Sequence, residues 1–204
     1  MIAVIDYGAG NIRSVVNAIV KLDYQPKVTS CPEDLLKARA VILPGGGAAG
    51  ETMKNLEMLS MVAPIRQFIS EGHPFFGVCI GLQILFDGTE EGSWHECLGV
   101  IPGQVKKLPA GLKIPHMGWN QVKQVGSHPI FDGIPDEANF YFVHSYYAEP
   151  DDRSLVVGET SYGVTMSSVI AKDNLIATQF HPEKSGEFGL RMYGNFIKLA
   201  MEQS

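Results

Sequence analysis

Cysteine is scarce: Cys31, Cys79 and Cys97 are the only three in 204 residues, none stands in a C-x-x-C pair, and their uneven spacing fits neither a disulfide framework nor a zinc site. A reducing, cytoplasmic setting is the expectation. Positive charge is also short. Against 22 acidic residues stand 16 basic ones, and the net charge of -6 has the wrong sign for a surface that tracks a phosphate backbone. Nucleic acid is therefore not expected as the main partner. No apolar run is long: Phe75 to Phe86 is broken by Gly77, Gly81 and Gln83 and falls short of the ~20 residues a membrane-spanning helix requires. The opening Met1 to Asp6 lacks the basic region and cleavage site of a secretion signal and reads as mature, folded sequence. Repeats, low-complexity tracts and dividing linkers are missing too, so a single domain over residues 1–204 is expected. With 45% hydrophobic residues, the chain has ample material for one core.

The order of patterns points to an α/β fold. Ile2 to Asp6 is a short apolar run ending in a glycine turn at Gly8 and Gly10, after which Ile12, Val15, Val16, Ile19 and Val20 repeat with helical spacing. Lys27 to Thr29, Ala40 to Leu43 and Phe75 to Val78 read as further strands, with helical sequence around Met53 to Leu59, from Pro64 to Ser70, and through Gln83 and Leu85. Strands apolar on both faces and alternating with helices imply a mostly parallel central sheet with helices on both faces. Beyond Val100, short β segments at Val105 to Leu108, Phe140 to His144, Leu155 to Gly158, Ser168 to Ala171 and Leu175 to Phe180 suggest antiparallel additions to the same sheet. Phe188 to Met201 has the spacing of a closing amphipathic helix.

The glycine clusters fall at strand ends, where open α/β sheets place their sites. Gly77-Val78-Cys79-Ile80-Gly81 follows an apolar strand and opens a helix, the layout of a nucleophile elbow with cysteine in place of serine. The flanking glycines relieve crowding at a sharp turn, and the helix N-terminus favours a thiolate and offers the Ile80 N–H to an oxyanion. The thiol is expected to be exposed at the edge of the sheet. Alone, the motif is also compatible with a buried, inert cysteine. His181-Pro182-Glu183 supplies a possible base with its orienting carboxylate, because residues two apart in an extended segment project to one side. A lone pair of this kind could equally be a surface histidine with an acidic neighbour. In Pro44-Gly45-Gly46-Gly47, glycine permits close approach of backbone to a ligand, and an N–H there could complement that of Ile80. No GK[ST] follows, so a phosphate loop is excluded, and the turn at Tyr7 to Gly10 lacks the full dinucleotide fingerprint.

Together these residues resemble the class I, triad-type glutamine amidotransferases, which carry Gly-x-Cys-x-Gly and a later His-x-Glu; the resemblance runs from Met1 nearly to the C-terminus. Four segments, Ile5 to Asn11, Pro115 to Asn120, Tyr141 to Tyr146 and His181 to Gly186, look more narrowly like the glutaminase subunits of imidazole glycerol phosphate synthases in histidine biosynthesis. The resemblance implies that Cys79 attacks the carboxamide of glutamine, that His181 protonates the departing ammonia, that Glu183 orients His181, and that water hydrolyses the thioester. It places Gln83 and the backbone around His144, Ser145 and Tyr146 against glutamine, with Gly45, Gly46 and Gly47 at the oxyanion. It implies no cofactor or metal. The implied partner is a TIM-barrel cyclase subunit in a heterodimer, fed with ammonia through an internal tunnel and touched by Asn11, Trp119, Tyr141 and Lys184.

Two positions depart from the family pattern: Gly46 stands where a branched aliphatic residue is usual, and Ala49 where phenylalanine is common, and both changes are expected to loosen the region beside the nucleophile. A stand-alone cysteine hydrolase, such as a γ-glutamyl hydrolase or peptidase, would explain the elbow but not the Pro115 to Asn120 and Tyr141 to Tyr147 segments. A silent interaction module has no physical need for Cys79, His181 and Glu183 together.

Overall fold

Short runs without a polar side chain become strands covered on both faces, and the chain uses them to build the centre of a sheet. In the computed structural model, which describes residues 1–202, three βα units come first: β1 (Ile2–Ile5) and α1 (Ile12–Val20), β2 (Pro26–Thr29) and α2 (Pro32–Leu36), β3 (Ala40–Leu43) and α3 (Ala49–Met58). Helix α4 (Val62–Ser70) leads to β4 (Phe75–Val78), and α5 (Ile80–Gln83) starts immediately after Cys79. The remainder is β-rich: β5 (Gly88–Thr89), β6 (His95–Glu96), β7 (Gly103–Lys107), β8 (His116–Gln124), β9 (Ala138–His144), β10 (Tyr146–Pro150), β11 (Val156–Ser161), β12 (Thr165–Lys172) and β13 (Leu175–Thr178) precede the long α6 (Gly186–Glu202).

Nine strands form the main sheet in the order β2-β1-β3-β4-β13-β12-β11-β8-β9. From β2 to β13 the neighbours run parallel; from β13 to β9 they run antiparallel. Side chains alternate across it. Ile2, Val4, Ile42, Phe76 and Val78 face α1 and α6, meeting Val15, Ile19, Tyr193 and Phe196. Ala3, Ile5, Val41, Leu43 and Phe75 face the opposite way, onto Leu35, Met53, Leu56, Ile65 and Phe68 of α2, α3 and α4. Helices thus cover both faces, and β4 lies between β3 and β13 in the parallel part. Among the described residues, no helix is long and apolar enough to cross a membrane.

Two expectations need correction. The segment at Val105 to Leu108 does not extend the main sheet: β7 joins a second, four-stranded sheet in the order β10-β7-β5-β6. Alternation reports which face of a strand is buried but not which sheet it enters. Here β10, beginning at Tyr146, turns away from β9 and pairs with β7 in antiparallel register. The run expected from Leu175 to Phe180 ends as a strand at Thr178. Gln179 keeps one last bond, from its N–H to Ser168 O at 2.9 Å, and the Thr178 hydroxyl then caps the departing chain on Phe180 O at 3.0 Å.

Phe76 is fully buried on β4, with ring centroids 5.0 Å from Phe196 and 5.5 Å from Tyr193 on α6. Replacing Phe76 with alanine is expected to cost about 3–5 kcal/mol, since the cavity cannot collapse between sheet and helix. Urea unfolding of the variant and the parent protein measures it; a loss under about 1 kcal/mol would show that this seam repacks.

Candidate active site

The backbone turns sharply where β4 meets α5. Cys79 has φ 52° and ψ -103°, a conformation costly for a residue with a Cβ, and its neighbours make room for it. A Cβ on Gly77 would come within 2.6 Å of Gly81 O, and one on Gly81 within 2.6 Å of Leu43 O. Hydrogen bonds hold the bend: Cys79 N–H donates to Thr178 O at 2.7 Å, and Cys79 O accepts from Leu82 and Gln83 N–H at 3.0 and 3.1 Å. The Ile80 amide opens the helix and has no carbonyl within it to bond.

Contrary to the expected exposure, Cys79 is 8% accessible. The reason is the chain that arches over it. Val143 O of β9 lies 3.9 Å from Sγ, and the Gln179 side-chain amide lies 3.7 Å from it.

His181 and Glu183 do lie side by side, though not by strand alternation. His181 is extended, with φ -103° and ψ 98°, and Pro182–Lys184 then forms one 3-10 turn that swings the carboxylate back. His181 Nδ1 meets Glu183 Oε1 at 2.8 Å, with the two side chains 4% and 0% exposed. Because a carboxylate accepts, Nδ1 carries the hydrogen and Nε2 is left for Cys79. Glu183 Oε2 accepts from the buried Tyr193 hydroxyl at 3.3 Å. The histidine backbone is tied as well: its N–H donates to Tyr141 O at 2.9 Å, and its carbonyl accepts from Ser185 Oγ at 2.6 Å. Burial alone would lower the proton affinity of His181, but hydrogen bonds with Cys79 and Glu183, and the charges of both, raise its pKa from 6.5 to about 9. The imidazole is thus held as a cation at neutral pH beside the sulfur.

The glycine loop touches both groups. A Cβ on Gly45 would sit 2.8 Å from Cys79 Cβ and 3.0 Å from His181 Cε1, so only glycine lets the backbone pass between β4 and the imidazole. Tyr7 fastens the loop, its hydroxyl lying 3.1 Å from Pro44 O and 2.8 Å from Gly46 O. Burial, with the charge of Cys79 next, pushes the Tyr7 pKa upward, so it stays a donor. Asn11 N–H donates to Gly45 O at 3.1 Å. Gly46 has φ 142°, and a Cβ there would approach Gly10 Cα to 2.5 Å, so the expectation that this glycine loosens the loop is corrected: it permits close contact with the Gly8 to Gly10 turn.

Gln83, His144, Ser145 and Tyr146 form one cluster beyond the sulfur. Tyr146 O receives Gln83 Nε2 and His144 Nδ1, each at 2.8 Å, while Ser145 O receives Leu108 N–H at 3.0 Å. Two residues escaped the sequence reading. Glu91 caps α3 by accepting from Ala49 N–H at 2.6 Å, next to the glycine loop. Gln179 is fully buried at the sulfur, and the only sign of it was a polar residue near the end of an apolar run.

The sequence model of the family described as "Glutamine amidotransferase class-I" matches residues 3–199. The chain belongs to that family. It is 54% identical over 201 residues to "Imidazole glycerol phosphate synthase subunit HisH" of Dehalococcoides mccartyi strain ATCC BAA-2266 / KCTC 15142 / 195, covering 98% of each chain. With the protein of the same name from Herpetosiphon aurantiacus it shares 47% over 203 residues, 100% of this chain and 96% of the other. Among solved structures, "Crystal structure of glutamine amidotransferase" superposes with a TM-score of 0.78 at 19% identity, covering 98% of both chains. "Structure of PurLQS from Thermotoga maritima" gives 0.77 at 18% identity over 97% of both. At these identities the two structures speak for the fold.

In this glutamine amidotransferase, the residues expected at a partner lie beside the site. Trp119 of β8 and Tyr141 of β9 are opposite each other in register, their rings edge to face at 6.0 Å. Lys184 Nζ stands 5.9 Å from the centre of the Tyr141 ring. Trp119 is 57% exposed and Met117, on the same face of β8, 60%. Asn11 precedes α1 and is tied to the glycine loop through the bond from its N–H to Gly45 O.

Replacing Glu183 with glutamine removes a charge and an acceptor that favour imidazolium, so the titration midpoint of His181 should fall below about 9. Following the His181 ring signals by NMR across pH measures this. An unchanged midpoint would remove Glu183 as the source of the raised proton affinity.

Proposed function

We propose that this chain is the glutaminase subunit of an imidazole glycerol phosphate synthase, acting in the cytoplasm and supplying ammonia to a TIM-barrel cyclase subunit. The observation that carries the reading is the 54% identity, across 98% of the chain, to a protein of that name. In this reading Cys79, His181 and Glu183 are the catalytic residues. The Cys79 sulfur, as thiolate, adds to the side-chain carbonyl carbon of glutamine. The resulting oxyanion meets the Ile80 N–H and an amide of the Gly45 to Gly47 loop. His181 gives its Nε2 proton to the amide nitrogen, the C–N bond breaks, and ammonia leaves a glutamyl thioester. Water then adds to the thioester as His181 takes back a proton; the C–S bond breaks, thiolate and imidazolium are restored, and glutamate departs. Gln83, His144, Ser145 and Tyr146 hold glutamine.

The exposed Met117, Trp119 and Lys184, with the half-buried Tyr141 ring beside them, suit the partner surface, since tryptophan and tyrosine are enriched among the anchors of protein interfaces. That patch shares a strand with the site: Tyr141 O accepts the His181 N–H. The cyclase would receive ammonia and close an imidazole ring on a phosphorylated ribulosyl-formimino carboxamide nucleotide.

With its cyclase, the Cys79→Ala variant is expected to lose glutamine-dependent synthesis and to keep synthesis from ammonium salts, because only ammonia production needs the sulfur. Product formation from each nitrogen source decides it, and substantial glutamine-driven product would remove Cys79 as nucleophile. Trp119→Ala should weaken the heterodimer by about 2 kcal/mol or more. Titration calorimetry giving equal affinities for two folded proteins would take Trp119 out of the interface.

A further inference from the structure

Gln179 is fully buried between β13 and His181, and a primary amide with no access to water must find protein partners for its donors and acceptor. Which end points where follows from a chain of groups that starts at a backbone carbonyl. Tyr146 O can only accept, so it is the Nε2 of Gln83 that faces it at 2.8 Å. The same nitrogen lies 3.2 Å from the Gln179 side chain, which therefore presents Oε1 to Gln83. Its Nε2 is then turned toward Cys79 Sγ at 3.7 Å, within reach of a hydrogen bond to sulfur.

The second lone pair of Tyr146 O is taken by His144 Nδ1–H at 2.8 Å, which leaves His144 Nε2 bare. His116 Nδ1 lies 2.9 Å from that nitrogen and must donate to it, and Asn120 Nδ2 lies 3.3 Å from the remaining bare nitrogen of His116. The series runs Asn120, His116, His144, Tyr146, Gln83, Gln179, Cys79. It works only with both imidazoles neutral, and burial pushes each down to about 4.

We infer that Gln179 is a further catalytic residue, donating its Nε2–H to the Cys79 sulfur and favouring the thiolate both before attack on the substrate and when the sulfur leaves the thioester. Gln83 is the positioning residue in this scheme: with its own nitrogen fixed on Tyr146 O, it determines that the nitrogen of Gln179, not its oxygen, faces the sulfur. The inference rests on the reading of Cys79 as the nucleophile. It also accounts for a buried glutamine where a leucine would pack as well.

The test uses the full chain carrying Cys31→Ser, because Cys31 is exposed and would compete for label. Cys97 is buried, and burial, with the charge of Glu91, pushes its thiol up to about 12, so iodoacetamide reports on Cys79. Gln179→Met keeps the bulk and removes the donor. Its alkylation at pH 7 should slow by about ten- to a hundredfold, the range of a hydrogen bond to a charged atom. Glutamate release with the cyclase should lose the same factor in kcat, with KM for glutamine changed by less than about threefold. Gln179→Glu, which offers a carboxylate in place of the donor, should be slower still. A merely structural residue would lower the melting temperature without slowing alkylation of the folded fraction. If Gln179→Met does not fold, Gln83→Met frees the Gln179 amide to turn and should also slow alkylation, a readout that needs no bound glutamine. Alkylation and kcat equal to the Cys31→Ser parent would overturn the role of Gln179. Cys79→Ala in the same background separates the two readings: retained glutamine hydrolysis removes the nucleophile itself, whereas a dead Cys79→Ala beside an unimpaired Gln179→Met removes Gln179 alone.

Discussion

Everything near the site follows from holding a residue with a Cβ at φ 52° where a central strand becomes a helix. That conformation is unfavourable on its own and persists only if its surroundings leave no alternative. Cys79 is fastened through both its N–H and its carbonyl, and the space its turn requires exists because Gly77 and Gly81 lack side chains. The result points a sulfur out of the sheet and into a crowded pocket. Gly45, His181, Val143 and Gln179 then have little freedom in where they stand, since each packs against or bonds to the same turn. Strain at one residue thus organises three segments that are distant in sequence: the Gly45 loop, Val143 of β9, and Gln179 to His181.

The electrostatics depend on that crowding. In water a cysteine and a histidine would exchange a proton with little consequence. Here both are largely removed from solvent, and the Glu183 carboxylate is fully enclosed, so charge on one raises the value of charge on the next. Buried charges are costly unless each is bonded. The Tyr193 hydroxyl on the far side of Glu183 and the Gln179 amide on the far side of the sulfur meet that requirement at the two ends of the row.

How much of this was legible in the sequence depended on whether the deciding contact was local. Ala40 to Leu43 and Phe75 to Val78 have their full apolar pattern within four residues, and the strands match those bounds. The elbow is local as well, since Gly77, Cys79 and Gly81 constrain one another within a single turn. The proximity of His181 and Glu183 was readable for the wrong backbone reason: spacing alone cannot tell a two-residue strand repeat from a 3-10 turn, and either brings the groups together. Sheet membership was not readable for β7, whose partner β10 begins about forty residues on and had no strong pattern of its own. Gln179 was not readable at all, because its meaning comes from Gln83, 96 residues away, and from the sulfur, 100 residues away.

Strand β9 is the last strand of the main sheet, and such a border normally presents bare amides and carbonyls to which another chain can add. In this molecule the border is occupied. Tyr141 gives its carbonyl to His181 and its N–H to Ser185 Oγ, and Val143 turns its carbonyl toward Cys79. Cys79, His181 and Ser185 of the candidate site therefore act as the seal on the sheet's vulnerable side. During synthesis that seal arrives late, because Ser185 follows Tyr141 by 44 residues. Without it, β9 would present the bare edge to which another chain can add. The opposite border relies on simpler means, beginning with Pro26 and exposing Lys27. Covering this edge and assembling the candidate site therefore rest on the same contacts on one side of this fold.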